Sequence, residues 1–242
     1  MNTVELQAIT VKRSDTFSLT VSNLAFQAGQ ITCITGPNGS GKTTVLECMS
    51  GLLAPDAGRV LVDGSPLMPE MWRIRRLIGI APDDEAWLIG ELTAREYLSL
   101  LAHTFAKAGV TCDMIANVRS MSEALYFGAF DQTLDSLSHG NKKKVQIMAA
   151  LMHDPTLILV DELRNGLDPL AIQSAEALLA AQAQRGACII ASTHDLWWAE
   201  RFAETILLIQ NGAVVAHDKT ADIVATYGSV EQLFMHHARA NV

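Results

Sequence analysis

The chain of 242 residues predicts an α/β fold with a largely parallel sheet, an antiparallel β part and a helical insertion. Three observations predict it. Short apolar, β-branched segments alternate with helical segments, the order that builds a parallel sheet. A glycine-rich stretch, GPNGSGKTT (36–44), sits between a strand and a helix. Residues 91–136 carry helical periodicity with almost no strand signal. The chain reads as one domain: a β-rich part and core over 1–84, a helical insertion over 85–138, and the rest of the core over 139–242.

From residue 4 to 35, VELQAITV, FSLTVSNLAF and QITCIT read as short strands, with Gly29 marking a turn. VLECMSGLL continues the glycine-rich stretch as a helix. A turn-rich hairpin (APDAGRVLVDGSPL), a basic segment (WRIRR) and a strand (LIGIAP) follow. In the insertion, ELTAREYLSLLAHTFAKAG and MIANVRSMSEALYFGAF have the helical period. A helix over about 140–153, capped by Ser138, leads into the strand TLILVDE. PLAIQSAEALLAAQAQ is a helix with Pro169 at its start and Gly186 just past its end. ACIIAST is a buried strand, TILLIQNGAVVAH a hairpin around Asn211-Gly212, and GSVEQLFMHHARA a closing helix.

Hydrophobic residues make up 49% and charged residues 18%, enough for a sizeable core. A net charge of -8 argues against a protein that grips nucleic acid through its overall field. Cys33, Cys48, Cys112 and Cys188 are far apart in apolar surroundings and have no metal spacing, so they read as small buried hydrophobes of a reducing compartment. The N-terminus lacks the apolar core of a signal peptide, and no window approaches a membrane span. The expectation is a soluble, cytoplasmic chain.

Gly36, Pro37, Asn38, Gly39, Ser40, Gly41, Lys42 and Thr43 fit G-x-x-x-x-G-K-[ST], with Thr44 continuing the loop. The glycines let successive N–H groups turn inward on phosphate oxygens, and the helix that follows adds its dipole. Lys42 is expected to reach the outer phosphates of a nucleotide and Thr43 to offer its hydroxyl to Mg²⁺. A buried strand (157–160) ends in Asp161-Glu162. Beside a phosphate loop, Asp161 is placed to hold the Mg²⁺ shell and Glu162 to polarise an attacking water.

Four further segments then align, and the chain resembles the nucleotide-binding subunit of an ABC transporter. LSHGNKKK (137–144) resembles the family's LSGGQ signature, with Ser138 lying 23 residues before Asp161. NGLD (165–168) resembles the D-loop, STHD (192–195) the switch-histidine segment and IGIAPDD (78–84) the Q-loop. The resemblance runs from about 4 to 236. It implies ATP and Mg²⁺, and two cassettes packed head to tail so that Ser138 and the Gly140 N–H of one meet the ATP on the other. It implies contact of His194 with the γ-phosphate. Asp168 would lie at the dimer seam, cap the following helix, or do both. Three lysines in a helix's first turn are disfavoured by its dipole and tolerable where a triphosphate docks.

Several positions depart from the family pattern. Asp83 stands where a glutamine is usual; it could approach Mg²⁺ but cannot donate as an amide does. His139 and Asn141 replace glycine and glutamine, and Leu163 replaces proline. Arg13, with Phe17 nearby, occupies the place of the adenine-stacking aromatic.

One cassette without a membrane span implies a permease subunit and a second cassette in trans, at the cytoplasmic face of the inner membrane. ELTAREYL and the tail GSVEQLF resemble exporter-like systems, and Trp72, Trp87 and Tyr97 are candidate contacts for the permease. The rival reading is a soluble ABC-type ATPase of repair, chromosomes or ribosomes. Such proteins typically carry long coiled-coil or zinc insertions or a second cassette, and this chain has neither.

Overall fold

Alternation sets the first part of the sheet. The structure is a computed structural model that describes residues 4–67 and 76–240. Trp72 and most of the basic segment WRIRR lie outside the described residues. Strand β1 (Val4–Lys12) buries Val4, Leu6, Ile9 and Val11. Its period slips by one at Ala8, where φ is +50° and the register against its partner shifts. That bulge keeps the apolar set on one face. β2 (Ser18–Val21) and β3 (Leu24–Phe26) pair antiparallel with β1. β4 (Ile31–Thr35) is buried at all five positions, and α1 (Lys42–Ser50) follows it. β5 (Ala57–Val62), also antiparallel to β1, turns into the short β6 (Ser65–Pro66).

β7 (Ile78–Ala81) opens the second part. The helical segment after it contains α2 (Ala94–Lys107) and α3 (Met114–Ala124). Helix α2 starts on a capping box between Thr93 and Glu96. The helical pattern read through residue 130 ends at Ala124. Tyr126 turns at φ +53°, while Leu125 and Phe127 stay buried from a non-helical chain. Their burial supplies the apolar period without the helix.

α4 (His139–Leu151) lies close on β7, because a Cβ on Gly79 would fall 2.0 Å from the Ala150 carbonyl oxygen. β8 (Leu157–Asp161), α5 (Pro169–Gln184), β9 (Cys188–Thr193) and α6 (Leu196–Phe202) then alternate. β10 (Thr205–Gln210) and β11 (Ala213–Lys219) form the expected hairpin, with Asn211 and Gly212 both at positive φ. α7 (Thr220–Tyr227) precedes the expected final helix, α8 (Val230–Ala240).

The strands make one sheet in the order β6-β5-β1-β2-β11-β10-β4-β9-β8-β7. From β10 to β7 every pairing is parallel, and around β1 every pairing is antiparallel. Alternate residues of the central strands serve two cores: Ile158 and Val160 on one face of β8, Leu157 and Leu159 on the other. Cys33, Cys48 and Cys188 are buried free thiols; burial pushes Cys48 up to about 11 and Cys188 to about 12. Among the described residues no helix is long and apolar enough to cross a membrane.

His153, just past α4, is stacked on Phe105 with ring centroids 3.9 Å apart. Its Nε2 lies 3.3 Å from the Ile78 carbonyl oxygen, and its buried Nδ1 has no partner. Burial pushes its pKa down to about 4. The unfolded chain therefore takes up this proton first as pH falls below about 6.5. Stability should be lost between about pH 6.5 and 4, by roughly 3 kcal/mol from this group. Urea unfolding at pH 7 and 4.5 should show a larger loss in the wild type than in His153→Phe.

Candidate active site

The parallel order β4-β9-β8 puts three strand ends side by side, so the loops that leave them meet at one edge of the sheet. The first loop runs from Gly36 to Gly41. Gly36 must lack a Cβ, which would fall 2.1 Å from the Ile209 carbonyl oxygen. Gly41 precedes α1 at φ +112° and provides no side-chain cap, which leaves the first-turn N–H groups of the helix facing the loop's mouth. Lys42 is buried, and its Nζ donates to the carbonyls of Gly36 (3.0 Å) and Pro37 (3.3 Å). Burial holds its pKa below the usual range, against the pull of Glu162 and Asp161. Ser40 Oγ is buried without a partner. This cradle of donors fits an anion.

The end of β8 brings the acids, and the end of β9 brings their partners Ser192 and His194. Asp161 accepts from Thr43 Oγ1 at 2.8 Å with one oxygen and from Ser192 Oγ with the other. Glu162 follows at φ +48°, and its N–H donates to the Ser192 carbonyl at 3.2 Å. Both of its carboxylate oxygens lie 3.0 Å from His194 Nδ1. Between the loops is a cleft of about 590 Å³ whose walls include Asn38, Gly39, Lys42, Thr43, Thr44, Asp161 and Glu162. Arg13, Phe17 and Asp83 also line it. Arg13 is ion-paired with Glu47, and Asp83 accepts from Asn165 Nδ2 at 2.9 Å.

The remaining expected residues are not on this cleft. Ser138 is exposed and caps α4, accepting from the Asn141 N–H at 3.3 Å. Asp168 caps α5, accepting from the N–H groups of Leu170 (3.0 Å) and Ala171 (2.9 Å). Gly140 has a reason within its own chain: a Cβ there would fall 2.4 Å from the Gly166 carbonyl oxygen.

The lysines differ from expectation, because each has a partner inside its own chain. Lys142 meets Glu85 at 2.7 Å, and Lys144 lies 3.9 Å from Asp168. Lys143 donates to the carbonyls of Pro82 and Asp161. They are covered because α4 packs on β7 and on the loop after it. The sequence reading also missed Ser192, Asn165 and the ion pair of Arg164 with Asp195. Only STHD and NGLD, the motifs that contain or adjoin these residues, pointed toward them.

A phosphate loop facing a carboxylate pair at the end of the next strand but one defines a P-loop nucleoside triphosphatase. Residues 19–165 match the family described as ABC transporter. The chain is 32% identical over 210 residues to the Nod factor export ATP-binding protein I of Rhizobium etli. That match covers 84% of this chain and 65% of the relative, so the chain spans less than two thirds of the relative's length. A solved ATP-binding subunit of an ABC transporter superposes with a TM-score of 0.85 at 27% identity, covering 96% of this chain and 98% of that one. The ATP-binding cassette MJ0796, as a dimer in a post-hydrolysis state bound to ADP and Pi, gives 0.77 at 26% identity over 90% and 98%. The chain belongs to the ABC transporter family, as an ATP-binding cassette of the kind that hydrolyses ATP.

The packing at Gly140 makes a prediction. Gly140→Ala should lose roughly 1–3 kcal/mol in urea unfolding, since backbone must move to admit the methyl. Gly39→Ala, where a Cβ meets nothing within 4 Å, should lose only the strain of its positive φ, about 1 kcal/mol.

Proposed function

We propose that this cassette hydrolyses ATP as one half of a head-to-tail dimer and drives a separate membrane-spanning partner, as the ATPase subunit of an exporter. The observation that carries the reading is Glu162, held against His194 at the edge of a cleft that also presents Lys42 and Thr43. Lys42 and the loop N–H groups bind the phosphates. Glu162 takes a proton from the attacking water, and His194 keeps the carboxylate oriented while it contacts the γ-phosphate. Arg13 and Phe17 form the wall offered to the base.

Thr43 and Asp161 suit Mg²⁺, because they set two hard oxygen donors side by side. Among the described residues no cluster of three or more His, Cys, Asp or Glu could hold a metal alone, so phosphate oxygens and water would complete the shell. Bound there, Mg²⁺ would neutralise charge on the transferring phosphate. Asp83, on the same cleft, would take part in that shell only through water.

The dimer reading draws on what is exposed. Ser138 is open to a second subunit, and Leu170 and Trp197, each 62% exposed, flank Asp168 and Asp195 as apolar seam residues. In the dimer Ser138 and the Gly140 N–H close on the other subunit's ATP, and Asp168 lies along the seam. The helical insertion, 85–138, together with the loop before it carries the docking site for the membrane partner. A small groove walled by Leu46, Leu52, Ile80, Pro82 and Trp87, with the acids Glu47, Asp83 and Asp84 among them, suits an amphipathic segment of that partner. Trp87 is 48% exposed there, whereas Tyr97 packs on the core. The relative named for Nod factor export supports export as the direction; in this reading the cassette works at the cytoplasmic face of the inner membrane, through its membrane partner. No observation favours a soluble ATPase.

Glu162→Gln should keep ATP binding, accumulate an ATP-bound dimer and lose about 100-fold or more in turnover, read by steady-state hydrolysis and size-exclusion chromatography. Lys42→Ala should weaken ATP binding by about 10- to 100-fold, read by calorimetry. Isolation of the chain from gently solubilised membranes should recover a multi-span protein in near-stoichiometric amount. Recovery of the cassette alone, or of ribosomes, would remove the transport role.

A further inference from the structure

Lys143 is the most deeply buried of the three lysines, with its side chain only 1% exposed. A buried ammonium is costly unless its N–H groups find acceptors. Here Nζ donates to the carbonyl oxygens of Asp161 (2.6 Å) and Pro82 (3.0 Å), and Asp83 Oδ1 stands 3.9 Å away. These oxygens belong to two different segments of the active site. The Asp161 carbonyl is half of the peptide that joins Asp161 to Glu162. Pro82 and Asp83 belong to the loop after β7. Asp83 in turn accepts from Asn165, three residues beyond Glu162. Lys143 therefore reaches the chain just before Glu162 directly, and the chain just after it through Asp83.

Glu162 needs such support. Its φ of +48° is uncommon for a residue with a side chain and persists where the surroundings over-determine it. The Glu162 N–H is held by Ser192, but the peptide oxygen on the other side of that bond is held by Lys143. Burial pushes the Lys143 ammonium down to about 8, against the pull of Asp83, Asp161 and Glu162.

We propose that Lys143 is a positioning residue for Glu162: its ammonium fixes the Asp161–Glu162 peptide and, with Asp83 and Asn165, brackets the catalytic carboxylate from both sides. The proposal rests on Glu162 being the base. It has a consequence for the dimer. Lys143 rides on α4, whose first residues meet the other subunit's ATP. A shift of that helix on closure reaches Glu162 of the same chain through one side chain, and the two sites of a dimer are linked.

The test is steady-state ATP hydrolysis by Lys143→Met, with nucleotide binding and thermal unfolding measured on the same preparation. The expected result is a fall in kcat of about tenfold or more, as a misplaced catalytic group produces. KM and ATP affinity should stay within about threefold of wild type, since ground-state binding does not use this residue. A purely structural role would instead lower the melting temperature and leave kcat unchanged below it. If Lys143→Met shows no melting transition, Lys143→Gln replaces it, since it keeps N–H donors near the carbonyls but not the charge. Its kcat should then fall at constant KM. A kcat within about twofold of wild type in whichever variant folds, or a matching loss in binding and kcat, overturns the proposal. Turnover by Glu162→Gln would instead sink the reading of Glu162 as the base, so the two failures are distinguishable.

Discussion

The hydrogen bond from Thr43 to Asp161 joins residues 118 positions apart, and the site is organised around it. Thr43 belongs to the first turn of α1, and Asp161 ends β8. The strand between their strands, β9, supplies Ser192 to the other oxygen of Asp161. Both oxygens of this carboxylate are thereby committed to hydroxyls from two different elements, a helix and a strand. Such an arrangement depends on the parallel pairing of β4, β9 and β8, which brings their carboxyl ends to one edge. An antiparallel neighbour would send one of these loops to the far end. The two cores on the sheet's faces matter to the site because they hold these strands in register.

Charge placement follows from the same edge. The molecule carries a net charge of -8, yet Lys42, Lys143 and Lys144 are all buried beside it. Lysine is seldom buried without partners, and Lys42 and Lys143 point at backbone carbonyls of the loops they stabilise. Magnitudes show why cations are tolerated at the start of α4. The helix dipole disfavours a cation in the first turn by about 0.3–1 kcal/mol, and the lysines, from the fourth helical residue onward, feel less than that. A hydrogen bond from a charged donor is worth about 1.5–3 kcal/mol. Lys142 and Lys143 are therefore kept near this helix start by hydrogen bonds to their own chain.

How far the sequence revealed this depends on the distance over which each feature is determined. The phosphate loop was legible because its glycines, lysine and threonine are contiguous and their strand-to-helix context is local. Asp161 and Glu162 were legible as acids ending an apolar run. The bulge at Ala8 was not, since it answers to pairing with β5 across the sheet. Nor was the end of α3, because Leu125 and Phe127 continue the apolar pattern after the helix has stopped. The sequence offered the Gly140 N–H to a nucleotide but could not show that a side chain there would meet the Gly166 carbonyl, 26 residues away. Lys143 and Asn165 act across 18 and 82 residues, and no local pattern marks such partners.

Asp83 shows how a departure from a family pattern can be matched within one chain. Two donors converge on it, Asn165 Nδ2 at 2.9 Å and the Lys143 ammonium at 3.9 Å. An ionised carboxylate accepts only, so it suits both at once. A glutamine would accept from one of them through its carbonyl, but its amide N–H groups would have to be accommodated beside an ammonium. The acid at 83 lowers the cost of burying the cation at 143. The aspartate at this position is thus explained by its neighbours, and the loop after β7 remains tied to the peptide that carries Glu162.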